Sequence, residues 1–265
     1  MFTSKHPHQH RSDKTSVASD PEGVEKLFLE LSSETRLAIL RELERNNLKT
    51  QEIATRVNLT ATEAVRQLQR LADAMLIHRN SDGSYTITEY GKTMTKLSMS
   101  MEFVFKHKEY FSTHDLWRIP PQFISRIGEL STTKLSMETM ENMDRGQRVL
   151  SEAEEFAWMV GEGHIPELML PIMEEKVRKG LKLKILTLES LVVPNTQNVE
   201  TRGLPLIPVV IVLTEKESLV CFRFIEGRVD YAGFFGKDGK FRDWVRDLFL
   251  YYWEKGSRNP ISRAD

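Results

Sequence analysis

TQEIATRVNLTATEAVRQLQRLADAMLIHRNSDGSYTITEY, residues 50–90, carries helix, turn and hairpin signals in a fixed order. Thr50 is placed to cap a short helix, QEIATRV, whose apolar side is Ile53, Ala54 and Val57. Asn58 falls at the turn. A longer helix, TATEAVRQLQRLADAML, follows, and Thr60 with Glu63 fits the S/T-x-x-E capping box at its start. Two short β-prone runs, LIHR and YTIT, then flank Ser81-Asp82-Gly83-Ser84, and Asp-Gly is a strong hairpin turn signal. A short helix, a tight turn and a longer helix give helix-turn-helix spacing. A hairpin directly after it makes the expected unit a winged helix-turn-helix.

Upstream, GVEKLFLEL and SSETRLAILREL continue the helical pattern. The first places Val24, Leu27, Phe28 and Leu31 on one side, and the second Leu37, Ile39, Leu40 and Leu43. On the helix after Asn58, 100° per residue groups Val65, Leu68, Leu71 and Ala72 as the buried side. The outward side then carries Thr62, Glu63, Arg66, Arg70 and Asp73, with Gln67 at its margin. Arg66 and Arg70 lie four apart and can enter one groove. Arginine pairs bidentately with guanine and glutamine with adenine. Thr60 and Thr62 sit where hydroxyls and free N–H groups suit a phosphate. Arg79 and Gly83 of the hairpin complete the expected DNA contacts, although Asp82 at the tip opposes phosphate approach. The competing reading of these side chains is an ordinary solvated face.

The runs SSETRLAILREL, QEIATRVNL, TATEAVRQLQRLADAMLI and DGSYTITEYGK resemble winged-helix transcription regulators of the arsenic-repressor-like superfamily. The resemblance spans about seventy residues and implies duplex DNA as partner. The cysteine-rich metal-sensing motif of the arsenic-repressor proteins is absent, so no metal is expected here.

TEYGKTMTKLSMSMEFVFKHKEYF contains no proline and predicts one long helix. Met94, Leu97, Met101 and Val104 follow a 3-4-3 spacing, the seam of a short coiled coil, so this segment is the candidate homodimer interface. The same stripe could instead dock within its own chain.

Pro120-Pro121 breaks the helical run, and QFISRIGEL restarts a short helix or strand. Beyond it, TMENMDRGQRVLSEA reads as helix, EFAWMVG as strand, and IPELMLPIMEEKVRKG as helix stopped by Gly180. LKLKILTL, PLIPVVIVLT, SLVCFRF and DYAGFFG read as strands, and KFRDWVRDLFLYYWEKG as a closing helix. Interleaved strands and helices predict an α/β domain with a mixed sheet.

HDLWRIPPQFISRIGEL, TRGLPLIPVVIVLTEKESLVCFRFIEGRVDYAGFFGKD and WVRDLFLYYWEKG resemble the archaeal methanogenesis-regulator (filament-regulator) family. The resemblance implies a winged helix joined to a phospholipase D-like sandwich. The phospholipase D motif H-x-K-x4-D is absent, since none of the seven histidines has Lys two positions on. No G-x-S-x-G, Walker loop or H-E-x-x-H is present either, so no catalytic residue and no cofactor is expected. Trp158 and His164 near a strand end, and Arg202 in the irregular stretch PNTQNVETRG, are the candidate contacts for a small-molecule effector. Each also has a plainer reading as a core or surface residue.

A formal net charge of −1 over 265 residues offers no global attraction to nucleic acid, so any DNA-binding charge must be local. The single cysteine, Cys221, excludes an intrachain disulfide and reads as a small buried hydrophobe. His6, His8 and His10 belong to a polar tail expected to be solvated. No run reaches the ~18–20 apolar residues of a membrane span, and the N-terminal stretch has no apolar h-region, so cytoplasm and no membrane partner are expected. The expected organisation is a tail over 1–22, the winged helix over 23–92 and a linker helix over 93–114. A sensor domain over 115–256 and a short tail follow. The functional expectation is a sequence-specific transcription regulator. A diverged phosphodiesterase-like enzyme and an adaptor that turns its winged helix to a protein partner are the alternatives.

Overall fold

The computed structural model describes residues 23–163, 170–191 and 196–257. Contacts divide the chain into two compact units, the first ending at Thr95 and the second starting at Lys96.

The first unit opens with α1 (Val24–Leu31) and α2 (Glu34–Arg45), the latter capped by Ser33, whose side chain accepts from the Arg36 N–H. The two-residue strand β1 (Leu48–Lys49) leads into α3 (Thr50–Arg56) and α4 (Ala61–Asp73). Thr50 is thus the first helical residue rather than the cap; the cap position is Lys49, whose N–H is taken by the Glu52 carboxylate at 2.7 Å. Between α3 and α4, Asn58 adopts φ 56°, a left-handed conformation that asparagine tolerates better than most residues. The Leu59 N–H then returns to the Ala54 carbonyl at 2.8 Å, closing the turn. The hairpin follows as β2 (Ile77–Arg79) and β3 (Ser84–Ile87). Its turn is closed by Asn80 N–H to Ser84 O at 2.7 Å, with Gly83 at φ 83°. The three strands form an antiparallel sheet in the order β1-β3-β2. Ile39, Leu40, Ile53, Leu68, Leu71 and Leu76 make its fully buried core.

α5 (Glu89–Lys106) is the expected long helix, but it stops before His107, and α6 (Lys108–Phe111) restarts after it. The division between the two units falls inside α5, and Phe103, Tyr110 and His114 are buried in the second unit. Residues 96–114 therefore share that unit's core instead of standing apart as a linker.

The second unit continues with β4 (His114–Asp115), α7 (Pro121–Ile124), a 3-10 turn at Ile127–Leu130, and β5 (Lys134–Ser136). QFISRIGEL is thus helical rather than a strand. Then come α8 (Thr139–Glu152), β6 (Phe156–Val160), α9 (Leu170–Arg178) and β7 (Lys182–Leu188). β8 (Val199–Leu204), β9 (Val209–Thr214), β10 (Ser218–Phe224), β11 (Gly233–Gly236) and α10 (Gly239–Lys255) complete it. The sheet runs β5-β11-β10-β9-β6-β7-β8, with β4 added beside β10. β6, β7 and β8 are parallel and the remaining pairs antiparallel, which makes the sheet mixed.

Alternation sorts side chains to the two faces. Leu186, Ile211, Val220 and Phe222 pack with Trp244, Leu248 and Phe249 of α10. Ala157, Leu183 and partly buried Ile185 pack with Leu150 of α8 and Met173 of α9 on the other face. One side chain also completes the backbone ladder. The Tyr110 hydroxyl accepts from the Phe222 N–H and donates to the Ala232 carbonyl, both at 3.0 Å. These backbone groups lie beyond the last β10–β11 pair, Val220 with Phe234. No helix among the described residues is long and apolar enough to cross a membrane.

Candidate nucleic-acid interface

The capping box of α4 forms as the sequence predicts. Glu63 N–H donates to Thr60 Oγ1 at 3.2 Å, and the Glu63 carboxylate accepts from the Thr60 N–H at 3.0 Å and its hydroxyl at 2.7 Å. These bonds hold the Glu63 carboxyl below the usual carboxylate range. Thr60 and Glu63 are therefore occupied with one another, and a phosphate at this helix start would compete with a carboxylate.

The buried side of α4 is Ala64, Leu68 and Leu71, at i, i+4 and i+7, and Val65 is 55% exposed. This corrects the expected phase, which placed Val65 inside. The shift has a direct effect on which polar residues face outward. Thr62, Arg66 and Gln69 lie within about 60° of one another on the exposed side.

Gln67 and Arg70, both expected as readers, are turned to the protein. Arg36, 5% exposed, is the hub. Its guanidinium donates to the Leu29 carbonyl at 2.6 Å, the Glu30 carbonyl at 2.9 Å and Gln67 Oε1 at 3.0 Å. It also lies 2.8 Å from the Glu30 carboxylate. Arg70 grips the same carboxylate in a two-bond fork, at 2.7 and 3.1 Å. The pair raises the Arg70 guanidinium above its ordinary value, whereas burial lowers that of Arg36. The C-terminal end of α1 is thereby tied to α2 and to one flank of α4.

Arg66 and Arg79 are exposed, and among the described residues neither guanidinium enters a hydrogen bond or an ion pair. A Cβ on Gly83 would stand 3.8 Å from the Arg79 guanidinium, so that arginine lies along the hairpin tip. Asp82 at the tip is engaged by the Ser84 N–H at 2.9 Å and its hydroxyl at 2.7 Å, which holds its carboxyl low. Gln69 donates to Asp73 at 2.7 Å on the exposed face. The surface presented is thus one helix face with one unpaired arginine, and a hairpin with a second.

The expected dimer stripe is divided. Met94 packs partly buried on the first unit's core and Val104 on the second's. Leu97 and Met101 are exposed at 48% and 57%, and Phe105, four residues on, is exposed with them. The candidate effector residues do not form one site. Trp158 packs against Phe249 in a tilted ring pair with centroids 4.9 Å apart, and Arg202 lies on strand β8, not in a loop. There its guanidinium donates to the Trp253 carbonyl at 2.6 Å and sits over that indole at 4.6 Å. Both side chains fasten α10 to the sheet. His164 lies outside the described residues. Sequence reasoning missed Gln69 and the Arg36–Glu30 anchor. A helical wheel centred on Ala64 finds Gln69; the anchor joins residues as far as 40 apart in the chain.

No family model matches the chain, and no curated protein matches it in sequence. Among solved structures, TrmBL2, described as an archaeal chromatin protein with a novel mode of DNA binding, is 16% identical. That match covers 89% of this chain and 98% of the other, with a TM-score of 0.40. NucT from Helicobacter pylori is 10% identical over 48% of this chain and 97% of its own, with a TM-score of 0.37. Nuc from Salmonella typhimurium, a phospholipase D family member, is 8% identical over 49% and 97%, with a TM-score of 0.33. All three scores lie below 0.5, so a function for this chain has to rest on its own residues.

Proposed function

We propose that the chain is a sequence-specific, DNA-binding transcription regulator. In this reading the first unit is a winged helix and α4 its reading helix, while the second unit responds to an effector. The observation that carries the proposal is the two-sidedness of α4. One flank is locked through Gln67 and Arg70, and the adjoining exposed face leaves Thr62, Arg66 and Gln69 outward, in the same unit as a hairpin bearing Arg79. A helix held this firmly by one side, at helix-turn-helix spacing, suits insertion into a major groove. Arg66 reads a guanine edge, Gln69 an adenine edge, and Arg79 the backbone beside them.

Residues 23–95 carry ten Lys or Arg against ten Asp or Glu, so bulk attraction to DNA is weak and specificity depends on these few contacts. Homodimerisation, through the exposed Leu97, Met101 and Phe105, would present two reading helices to a symmetric operator.

The test is titration of the full chain against DNA from upstream of its own gene, across a range of salt. Arg66→Ala should weaken specific binding by about 1–3 kcal/mol and Arg79→Ala should reduce the salt slope by about one. Specific binding left intact by Arg66→Ala would remove α4 as the reader. Absence of binding to any upstream fragment would favour a protein partner for this surface.

A further inference from the structure

The second unit contains a cavity of about 160 Å³ between α8 and the sheet. It lies at the C-terminal ends of the parallel strands β6 and β7, the end at which open α/β sheets bind their ligands. Its walls are mostly apolar: Leu150, Met159, Ile185, Val210, Val212 and Leu219.

Two polar side chains in this lining are nine-tenths buried and incompletely satisfied. Asn142, 1% exposed, spends its amide nitrogen on the Ser136 carbonyl at 3.0 Å and the Tyr231 carbonyl at 2.9 Å. Those two acceptors fix the orientation of the amide. Its Oδ1 is left without a partner among the described residues. Thr187, 5% exposed near the end of β7, has a hydroxyl with no partner either. A buried polar atom left unpaired costs free energy that a ligand can recover.

The space is kept open by glycine. Gly146 is buried in the interior of α8, where glycine disfavours a helix, and an added Cβ there would meet only Val212 Cγ2, at 4.0 Å. Among the described residues, no Asp, Glu, Lys, Arg or His lines the cavity. A charged ligand would lose its hydration with no counter-charge in return.

We propose that this cavity binds an uncharged, mainly apolar small molecule. Its polar head donates a hydrogen bond to Asn142 Oδ1 and exchanges one with the Thr187 hydroxyl. At roughly 10–15 Å³ for each water-sized occupant, the space holds a body of roughly 11–16 non-hydrogen atoms. The inference deepens the effector-sensing part of the function proposed above and rests on that reading only for its biological meaning. Trp158 and Arg202, the sequence's own candidates, take no part, since both are committed to α10.

The test uses the purified full chain with benzamide and cyclohexanecarboxamide as probes, and benzoate and cyclohexylammonium as their charged counterparts. Binding is read by calorimetry and by the thermal shift of the second unit. Both amides should bind saturably and the charged pair at least about tenfold more weakly. Thr187→Val removes a hydroxyl that has no partner, so the fold should persist while amide affinity falls about three- to tenfold. Gly146→Leu fills the space and should abolish binding without unfolding the protein.

Failure of both amides to bind at millimolar concentration would overturn the proposal, leaving ordered water as the occupant. So would equal binding of the charged compounds, or affinity unchanged in Gly146→Leu. The DNA titration is independent of these results. Amide binding without Arg66-dependent DNA binding would preserve the site and remove the regulator, and the reverse pattern would remove the site alone.

Discussion

Replacing Glu30 with glutamine isolates what holds α4 in place. The carboxylate faces Arg36 at 2.8 Å and Arg70 at 2.7 Å, and the amide would present donors to guanidinium groups that are donors already. Losing one partner of a buried ion pair typically costs about 3–5 kcal/mol. Two features reduce that figure. Arg36 keeps its bonds to two carbonyls and to Gln67, and the Arg70 side chain is 41% exposed, so solvent screens its half of the cluster. The expected loss is therefore about 2–4 kcal/mol, confined to the first unit. With a urea dependence near 1 kcal/mol per molar for a unit of this size, its midpoint should fall by about 2 M or more. All four tryptophans, Trp117, Trp158, Trp244 and Trp253, lie in the second unit. The variant should accordingly show an early loss of far-UV circular dichroism that tryptophan fluorescence does not follow. Coincident transitions, or a midpoint like that of the parent protein, would refute the assignment of Glu30 as the anchor. Arg70→Ala in the same assay should shift the first unit's midpoint far less than Glu30→Gln does.

Two glycines should respond in opposite directions. A Cβ on Gly91 would sit 2.1 Å from the Leu76 carbonyl oxygen, and Gly91→Ala should lower the first unit's stability by about 3 kcal/mol in urea melts. Gly146→Ala enters open space in a helix and should raise the second unit's by about 0.5–1 kcal/mol. Cys221 is fully buried, and burial pushes its thiol well above the ordinary range. Its labelling by a disulfide reagent at pH 8 should therefore run at the rate at which the second unit opens, and prompt labelling of the native protein would contradict the packing. The Glu63 carboxyl is held low by Thr60, so its capping contribution should be complete at neutral pH. It should fade as the pH falls below the ordinary glutamate range, whereas Glu63→Gln should show no such fading; the Thr60 amide resonance is the readout.

The elements of the first unit are legible because their signals are local. The capping box at Thr60 and Glu63 and the glycine-closed turn after Arg79 each involve residues within five positions of one another. The phase of α4 was less so, because Ala64 adds little to a hydrophobic pattern in which Val65 stands out, yet the small residue is the one that fits against the core. The fate of Arg70 and Gln67 was illegible, since their partners lie 40 and 31 residues away. In the second unit the long apolar strands announced themselves. β4 and β5 have two and three residues, too few for alternation to emerge, and the polar stretch containing Arg202 becomes strand β8 through pairing with β7. The cavity is a property of assembly. Asn142 and Thr187 lie on separate elements, and only the unpaired state of their oxygens distinguishes them.

The phenol of Tyr110 has a practical consequence for anyone dividing this chain. A fragment cut at residue 115, where the helical run ends in sequence, would lack the hydroxyl that bridges Phe222 and Ala232. It would also lack Phe103, whose ring lies 5.0 Å from Phe234. Water would then reach an amide and a carbonyl in the middle of the domain, so a soluble C-terminal piece needs its N-terminal cut no later than Lys96. In hydrogen-exchange experiments the Phe222 amide should act as a sentinel, because its protection depends on a side chain 112 residues earlier in the chain and not on a neighbouring strand.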